Sequence, residues 1–136
     1  MNIKINKAQT PVGAYPHSKK VGNFLFLSGV GPRKGDLDEI PGVNKDEDGN
    51  VISHDIEIQC HSVFENVKMI LEESGSKWEN LVDITVFLTD IDRDFEIYNK
   101  IYADYFKSNQ PCRTTVQVSS LPTPIAIELK CKATIA

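Results

Sequence analysis

The longest helical pattern of the chain lies between residues 55 and 75. Apolar residues recur there three or four positions apart, a spacing that places them on one face of an α-helix. Asp55 is a candidate N-cap, and Gly75 supplies a stop signal. The apolar face consists of Ile56, Cys60, Val63, Phe64, Val67, Ile70 and Leu71. The pattern therefore predicts an amphipathic helix that packs on a core.

A second helix is predicted close to residue 92, where Asp92 or Asp94 would cap it. Aromatic residues follow at helical spacing, at Phe95, Tyr98, Tyr102 and Tyr105. Packing against a sheet explains this stripe more simply than a cofactor site does.

Four runs rich in β-branched and aromatic residues predict strands, at residues 21–28, 81–88, 111–118 and 125–132. The last two runs are joined by a Leu-Pro-Thr-Pro segment. A hairpin-like return at this segment would place those two strands side by side.

The segment from residue 32 to residue 50 predicts an irregular, solvated loop. It ends in an Asp-Gly-Asn turn that leads into a short strand at residues 51–52. Strands and helices alternate without repeats, and the length of 136 residues predicts one domain over residues 1–136.

Composition narrows the class of protein. The chain has 136 residues, enough for a core without disulfides or metals. Three cysteines at no metal-ligand spacing favour a reducing cytosol, and no apolar run has the length of a signal peptide or a membrane span. A net charge of −4, with lysines interspersed among acids, argues against nucleic acid as a partner. A cytoplasmic protein without a membrane partner is expected.

Metal sites receive little support from the sequence. Asp46, Asp48 and Asn50 imitate the start of a calcium loop, but the glycine is misplaced and no closing Glu follows. His54 and His61 lie seven residues apart, and no further ligand completes a set. The expectation is a protein with no metal and no cofactor.

Arg113 and Glu128 carry the most chemical information. They lie on the last two predicted strands, and Glu128 stands among Ile125, Ile127 and Leu129 in a segment apolar enough to be buried. A buried carboxylate without a partner is costly. Two explanations remain open: a structural ion pair that closes the sheet, or an Arg that binds a substrate carboxylate beside a Glu that handles a water or a proton.

Short motifs in their order along the chain resemble the RidA (YjgF) family of reactive-intermediate deaminases. They include Val12-Gly-Ala-Tyr15, Phe26-Leu-Ser-Gly29, Pro111-Cys-Arg113 and Ile127-Glu128. By position, Arg113 matches the Arg that binds the substrate carboxylate, and Glu128 matches the Glu that orients water. Matched pocket residues are Tyr15, Ser28, Gly29 and Asn99, together with Thr115, which stands where many members have Cys.

A narrower resemblance points to 2-aminomuconate deaminases within that family. It depends on Ala14-Tyr-Pro-His17, Ser28-Gly-Val-Gly-Pro-Arg33 and the enlarged segment that follows. A dicarboxylate substrate would need cations in addition to Arg113, because one guanidinium pairs with one carboxylate in the two-point mode. His17 and Arg33 are the candidates; a turn histidine and a solvated loop arginine are the alternatives.

The resemblance implies a chorismate-mutase-like α+β fold, in which a mixed sheet of about six strands carries two helices on one face. It implies a homotrimer with sites between subunits. It also implies a metal-independent hydrolase that converts a 2-imino or 2-amino-enoic acid to a 2-oxo acid and ammonia. The alternative is a non-catalytic trimeric module that senses 2-oxo or amino acids.

Overall fold

The computed structural model describes residues 1–35 and 40–136. A mixed six-stranded sheet carries two helices on one face, which confirms the predicted fold class. The strands of this sheet are β1 Asn2–Ile3, β2 Ser18–Val21, β3 Phe24–Leu27, β6 Leu81–Leu88, β7 Cys112–Gln117 and β8 Ile127–Thr134; β4 Val43–Lys45 and β5 Val51–His54 form a separate hairpin, and the helices are α1 Ile56–Glu73 and α2 Ile91–Tyr105.

The strand order in the large sheet is β1-β2-β3-β8-β6-β7. Only the β6–β7 pair is parallel among the pairs described, and α2 makes the crossover that a parallel pair needs. The predicted hairpin between the last two strands is wrong, because β6 lies between β7 and β8. Between Ile84 and Leu88 every second residue of β6 is buried, and this central strand has a partner on each side.

The start of α1 was predicted correctly, and the start of α2 was not. The Asp55 carboxylate accepts a hydrogen bond from the Ile58 amide at 3.1 Å. Asp90, instead of Asp92 or Asp94, caps α2 by accepting from the Arg93 amide at 3.0 Å. Asp94 is 1% exposed, and the Arg93 guanidinium binds both of its oxygens at 2.7 Å. The sequence offers several neighbouring aspartates as N-cap candidates. The position where the chain leaves β6 decides which of them becomes the N-cap.

The prediction of one strand over residues 21–28 extends beyond the observed strand β3 at both ends. Val21 ends β2, and Gly22 has a φ of +59°, which turns the chain into β3. Glycine adopts this left-handed conformation at little cost. The strand is therefore the second arm of a β2–β3 hairpin.

The two faces of the sheet differ in environment. On β8, Ile127, Leu129 and Cys131 are fully buried on the helix face, and Glu128 and Lys130 alternate with them. A fully buried Leu or Ile contributes roughly 1.5–3 kcal/mol to stability. The opposite face, which we call the open face, carries partly exposed apolar residues of β3 and β7, namely Phe24, Phe26 and Val116.

The segment of residues 32–50 is more regular than predicted where it is described. β4 pairs with β5, so the short strand predicted at residues 51–52 is confirmed and extends to His54. The Asp46 carboxylate accepts from the amides of Asp48 and Asn50, both at 2.9 Å, and so closes the hairpin turn. Residues 36–39 of the predicted loop lie outside the described residues.

Gly42 provides a test of how the β4–β5 hairpin docks on α1. Its φ is +75°, and a Cβ would lie 2.7 Å from the Asp55 carbonyl oxygen. Gly49 has a φ of +84° with open space around it and is the matched control. We expect Gly49→Ala to cost about 1 kcal/mol and Gly42→Ala about 2–4 kcal/mol in urea unfolding. Equal losses would show that the contact with Asp55 does not constrain the hairpin.

Candidate active site

A cavity of about 140 Å³ opens where β3 ends and β8 begins. We call it the Glu128 pocket. Six of the nine predicted site residues line it: Tyr15, His17, Ser28, Gly29, Arg33 and Glu128. The structure thus brings five predicted residues from positions 15–33 together with Glu128 in one pocket.

A bulge shapes the wall of this pocket. Phe26 pairs with Lys132 and Val30 with Leu129, so three residues at the end of β3 oppose two residues of β8. Such a bulge bends the strand and redirects its backbone. It brings Gly29 so close to Glu128 that a Cβ at Gly29 would lie 2.7 Å from the Oε2 atom. A larger residue at this position would force the carboxylate to move.

Glu128 has no hydrogen-bond or ion-pair partner among the described residues. Burial raises the pKa of its carboxyl group above the ordinary value of 4.5. A carboxylate in this state accepts a proton more readily than a solvated one does. A structural ion pair between Arg113 and Glu128, one of the two explanations that the sequence left open, is not formed among the described residues.

Ser28 and Tyr15 flank the pocket with their hydroxyl groups. The Ser28 hydroxyl donates to the Pro16 carbonyl at 2.6 Å. The Tyr15 hydroxyl accepts from the Val12 amide at 3.2 Å, which leaves its own proton to donate.

His17 is buried beside the pocket and is occupied by the backbone. The Ile5 amide donates to Nδ1 at 3.0 Å, so Nε2 carries the ring proton and donates to the Gln9 carbonyl at 2.7 Å. The ring is therefore neutral in this arrangement, and both nitrogens are engaged. Through these two hydrogen bonds, His17 holds the N-terminal segment at the pocket.

Arg33 is placed at the pocket by α1. The Asn66 amide group donates to the carbonyls of Gly31 and Arg33 at 2.9 and 2.8 Å, which fixes the backbone there. One guanidinium nitrogen of Arg33 donates to the Thr10 carbonyl at 2.9 Å. A guanidinium has five N–H donors, so others remain for a ligand.

Arg113 lies in a different cavity, of about 570 Å³, which we call the Arg113 pocket. Its guanidinium donates to the Asn99 side chain at 2.8 Å and lies over the Tyr102 ring at 4.7 Å from the centroid. Thr115 binds the Tyr98 hydroxyl at 2.9 Å. Asn99 and the tyrosines of α2 thus hold the guanidinium in one orientation.

Arg113 and Glu128 point to opposite faces of the sheet. Arg113 pairs with Ile84 and Glu128 with Phe87, and directly paired residues point to the same side. Ile84 is buried beneath the helices, and Phe87 is three positions further along β6. An odd separation reverses the direction of a side chain. Within one subunit the two residues therefore belong to separate pockets.

Gln9 is a pocket residue that the sequence analysis missed. It lines the Glu128 pocket, is 7% exposed, and its Oε1 atom is buried without a hydrogen-bond partner in the described part of the chain. An amide in a loop follows no strand or helix period. The buried histidine that holds its carbonyl could have indicated it, but only once the fold was known.

Within residues 1–35 and 40–136, no three His, Cys, Asp or Glu side chains converge as metal ligands. His54 contacts Gln59 and His61 contacts Tyr105, so the two histidines serve different neighbours. In the same ranges, no helix combines the length and the apolar character needed to span a bilayer.

The family model described as endoribonuclease L-PSP matches residues 5–135. The chain belongs to this family. A RutC family protein of Pyrococcus abyssi is 39% identical over 128 residues, which cover 94% of this chain and 91% of that protein. The chloroplastic Reactive Intermediate Deaminase A of Arabidopsis thaliana is 37% identical over 133 residues, covering 98% of this chain and 65% of that protein.

Solved structures of the family have the same fold. RidA from an Antarctic Psychrobacter species superposes with a TM-score of 0.80 at 29% identity, over 99% of both chains. Escherichia coli TdcF with bound serine gives 0.82 at 28% identity, over 98% of both chains. The resemblance to the RidA family is confirmed, and the narrower aminomuconate resemblance stays a prediction.

The raised pKa of Glu128 predicts how stability changes with pH. The folded state holds the carboxyl proton more tightly than the unfolded chain does, so the wild type loses stability as pH rises above 4.5. Glu128→Gln lacks this loss. We expect the variant to be the more stable protein at pH 7, with the difference vanishing near pH 4, in thermal unfolding followed by circular dichroism. A less stable variant at pH 7 would reveal an ion pair to Glu128 in the assembled protein.

Proposed function

We propose that this protein is an imine deaminase that hydrolyses a 2-imino acid to a 2-oxo acid and ammonia. The observation that carries this proposal is the unpartnered Glu128 carboxylate in a small pocket, with its pKa raised by burial. A structural carboxylate would have a partner in the subunit. The name of the Arabidopsis relative, a reactive intermediate deaminase, supports the same chemistry.

Assembly would bring the two pockets together. Arg113 and Glu128 face opposite sides of one sheet, so a site that uses both needs residues from two subunits. The open face carries Phe24, Phe26 and Val116, which a neighbouring subunit would cover. We therefore propose a homotrimer in which the Arg113 pocket of one subunit meets the Glu128 pocket of the next.

Arg113 would bind the substrate. Its guanidinium offers two parallel N–H groups to the carboxylate of a 2-imino acid. Asn99 and Tyr102 already hold it in place, so little conformational freedom is lost on binding. The adjacent C=N carbon would then point into the Glu128 pocket.

Glu128 would handle the water and its protons. The water oxygen bonds to the imine carbon, the π pair of the C=N bond moves to nitrogen, and one water proton passes to Glu128. Glu128 returns this proton to the nitrogen of the aminol. The C–N bond breaks, its electron pair leaves with nitrogen, and the hydroxyl proton goes to the ammonia as the C=O bond forms. A protonated imine is electrophilic by itself, so the scheme uses no metal and no cofactor.

A dicarboxylate such as 2-aminomuconate is the narrower substrate proposal. Of the two predicted cations, Arg33 keeps N–H donors for a second carboxylate, whereas both nitrogens of His17 bind the backbone. Arg33 is therefore the residue we assign to the second carboxylate. His17 would act by holding the N-terminal segment in place.

A binding or regulatory module is the second candidate function. The crystal structure of TdcF contains serine, an amino acid whose carboxylate suits an Arg such as Arg113. Carboxylate recognition alone does not need Glu128. The two functions therefore differ in what happens when Glu128 is replaced.

Substitution of each residue separates these functions. We expect Arg113→Lys to lower kcat/KM for ammonia release from freshly generated imines about 10- to 100-fold, because lysine loses the planar fork. Glu128→Gln is expected to lower kcat about 100-fold or more while a 2-oxo acid still binds. Binding in the wild type without ammonia release would support the sensor. RNA incubated with the wild type is the control for the endoribonuclease description of the family.

Mixing Arg113→Lys with Glu128→Gln, two variants of reduced activity, tests where the site lies. If the site combines two subunits, randomly mixed trimers contain intact Arg113 and Glu128 at about a quarter of their sites and regain that share of activity. Light scattering of the mixture checks that the assembly is a trimer. No regained activity in mixed trimers would place both residues' action within one subunit and overturn the proposed assembly.

The dicarboxylate proposal predicts a selective effect at Arg33. We expect Arg33→Met to lower kcat/KM about 10-fold or more for 2-aminomuconate and less than about threefold for the imine of alanine, because only the dicarboxylate loses a partner. Lys34, which is fixed to α1 through Asn66, supplies the matched control as Lys34→Met. Equal losses on both substrates would remove the dicarboxylate assignment.

A further inference from the structure

The side chain of Gln9 is the least explained polar group in the Glu128 pocket. It lines the cavity, is 7% exposed, and its Oε1 atom is buried with no partner in the described residues. Buried acceptors in folded proteins are almost always satisfied by protein, water or ligand. This atom therefore calls for a donor from outside the described chain.

The backbone holds Gln9 at this position. His17 donates to the Gln9 carbonyl at 2.7 Å and accepts from the Ile5 amide at 3.0 Å, so the segment from Ile5 to Gln9 is tied to one ring. The Ala8 amide also donates to the Ile5 carbonyl at 3.3 Å. The segment has little freedom to turn the amide of Gln9 out to solvent.

Three other polar side chains at the cavity already have hydrogen-bond partners. Ser28 donates to Pro16, His17 uses both nitrogens, and Arg33 donates to Thr10. Gln9 Oε1 and the Glu128 carboxylate are instead two acceptors without donors among the described residues. Two acceptors in one small cavity suit a molecule with two O–H groups, which is water.

We propose that Gln9 holds the hydrolytic water together with Glu128. The water donates one O–H to Gln9 Oε1 and the other to the Glu128 carboxylate, so an oxygen lone pair points away from both groups and toward the imine carbon. As the oxygen bonds to carbon and the π pair moves to nitrogen, Glu128 takes one proton. The other hydrogen stays on the oxygen, bonded to Gln9, and becomes the aminol hydroxyl. This role depends on the deaminase function proposed above.

Gln9→Met tests the role because methionine has a similar length and no acceptor oxygen. We expect kcat for ammonia release to fall about 10- to 100-fold with KM within about twofold, since Gln9 acts on the water and not on the substrate carboxylate. Gln117→Met is the matched control. Gln117 accepts from the Ile91 amide at 2.8 Å, away from both pockets, so its loss lowers stability and leaves kcat within about twofold.

Gln9→Glu gives a readout that a structural role would not produce. It keeps an acceptor oxygen and adds a second carboxylate to the pocket, and like charges raise each other's pKa. We expect activity to be recovered relative to Gln9→Met, with the acid limb of the kcat profile moved to higher pH by about one unit or more. An unshifted profile would overturn the proposal, and this variant decides if Gln9→Met does not fold.

The outcomes separate this inference from the proposed function. A wild type that releases no ammonia from any imine refutes the deaminase and the water site together. An active wild type with a folded Gln9→Met variant of unchanged kcat refutes the role of Gln9 and leaves the deaminase intact. A loss in KM alone would also refute it, because it would place Gln9 on the substrate.

Discussion

Because α1 and α2 cover only one face of the six-stranded sheet, alternate residues of each strand lie in different environments. On β8 this alternation buries Ile127 and Leu129 under the helices and turns Glu128 to the open face. On β7 it turns Arg113 to the helix side, where Tyr102 and Asn99 hold it. One geometric rule thus separates the cation from the carboxylate. A site that needs both is then a property of the assembly, and the exposed apolar residues of the open face are the surface that assembly would cover.

The Glu128 pocket is built at a cost to stability. It keeps a desolvated carboxylate and a buried amide oxygen without partners among the described residues, and each such group costs about 1–3 kcal/mol. The fold tolerates these groups because the pocket wall is fixed from several directions. His17 ties down the N-terminal segment, Asn66 holds the loop after β3, and Gly29 leaves space for the carboxylate. In a structural core, such polar groups would be expected to have hydrogen-bond partners. Here they are held without them, which is a common feature of binding and catalytic sites.

The residue pattern predicted the helices and the long strands, which follow local rules, but not the pairing between strands. The 3.6-residue period and Asp55 predicted α1 because burial of one face and capping are local effects. Strand order is not local: the parallel pairing of β6 with β7 left no signal in either strand, and the hairpin prediction failed there. The site divides in the same way. Motif order indicated Glu128 and Arg113, but the opposite directions of their side chains depend on register. The positions of Gln9 and His17 depend on contacts between a loop and a buried ring.

The contrast between the two pockets bears on whether this chain turns its ligand over. In the Arg113 pocket, the guanidinium has partners within the subunit: a hydrogen bond to Asn99 and cation–π contacts with two tyrosine rings. This is expected of a group that only has to bind an anion. The Glu128 pocket leaves its acceptors without donors, as expected of groups whose partner is consumed and replaced in each cycle. An ionised Glu128 repels the carboxylate of a bound ligand. A sensor would therefore bind its ligand more tightly if a fixed donor beside Glu128 offset this repulsion. A raised carboxyl pKa next to an electrophilic carbon is instead useful to a catalyst, since it brings proton transfer closer to the working pH.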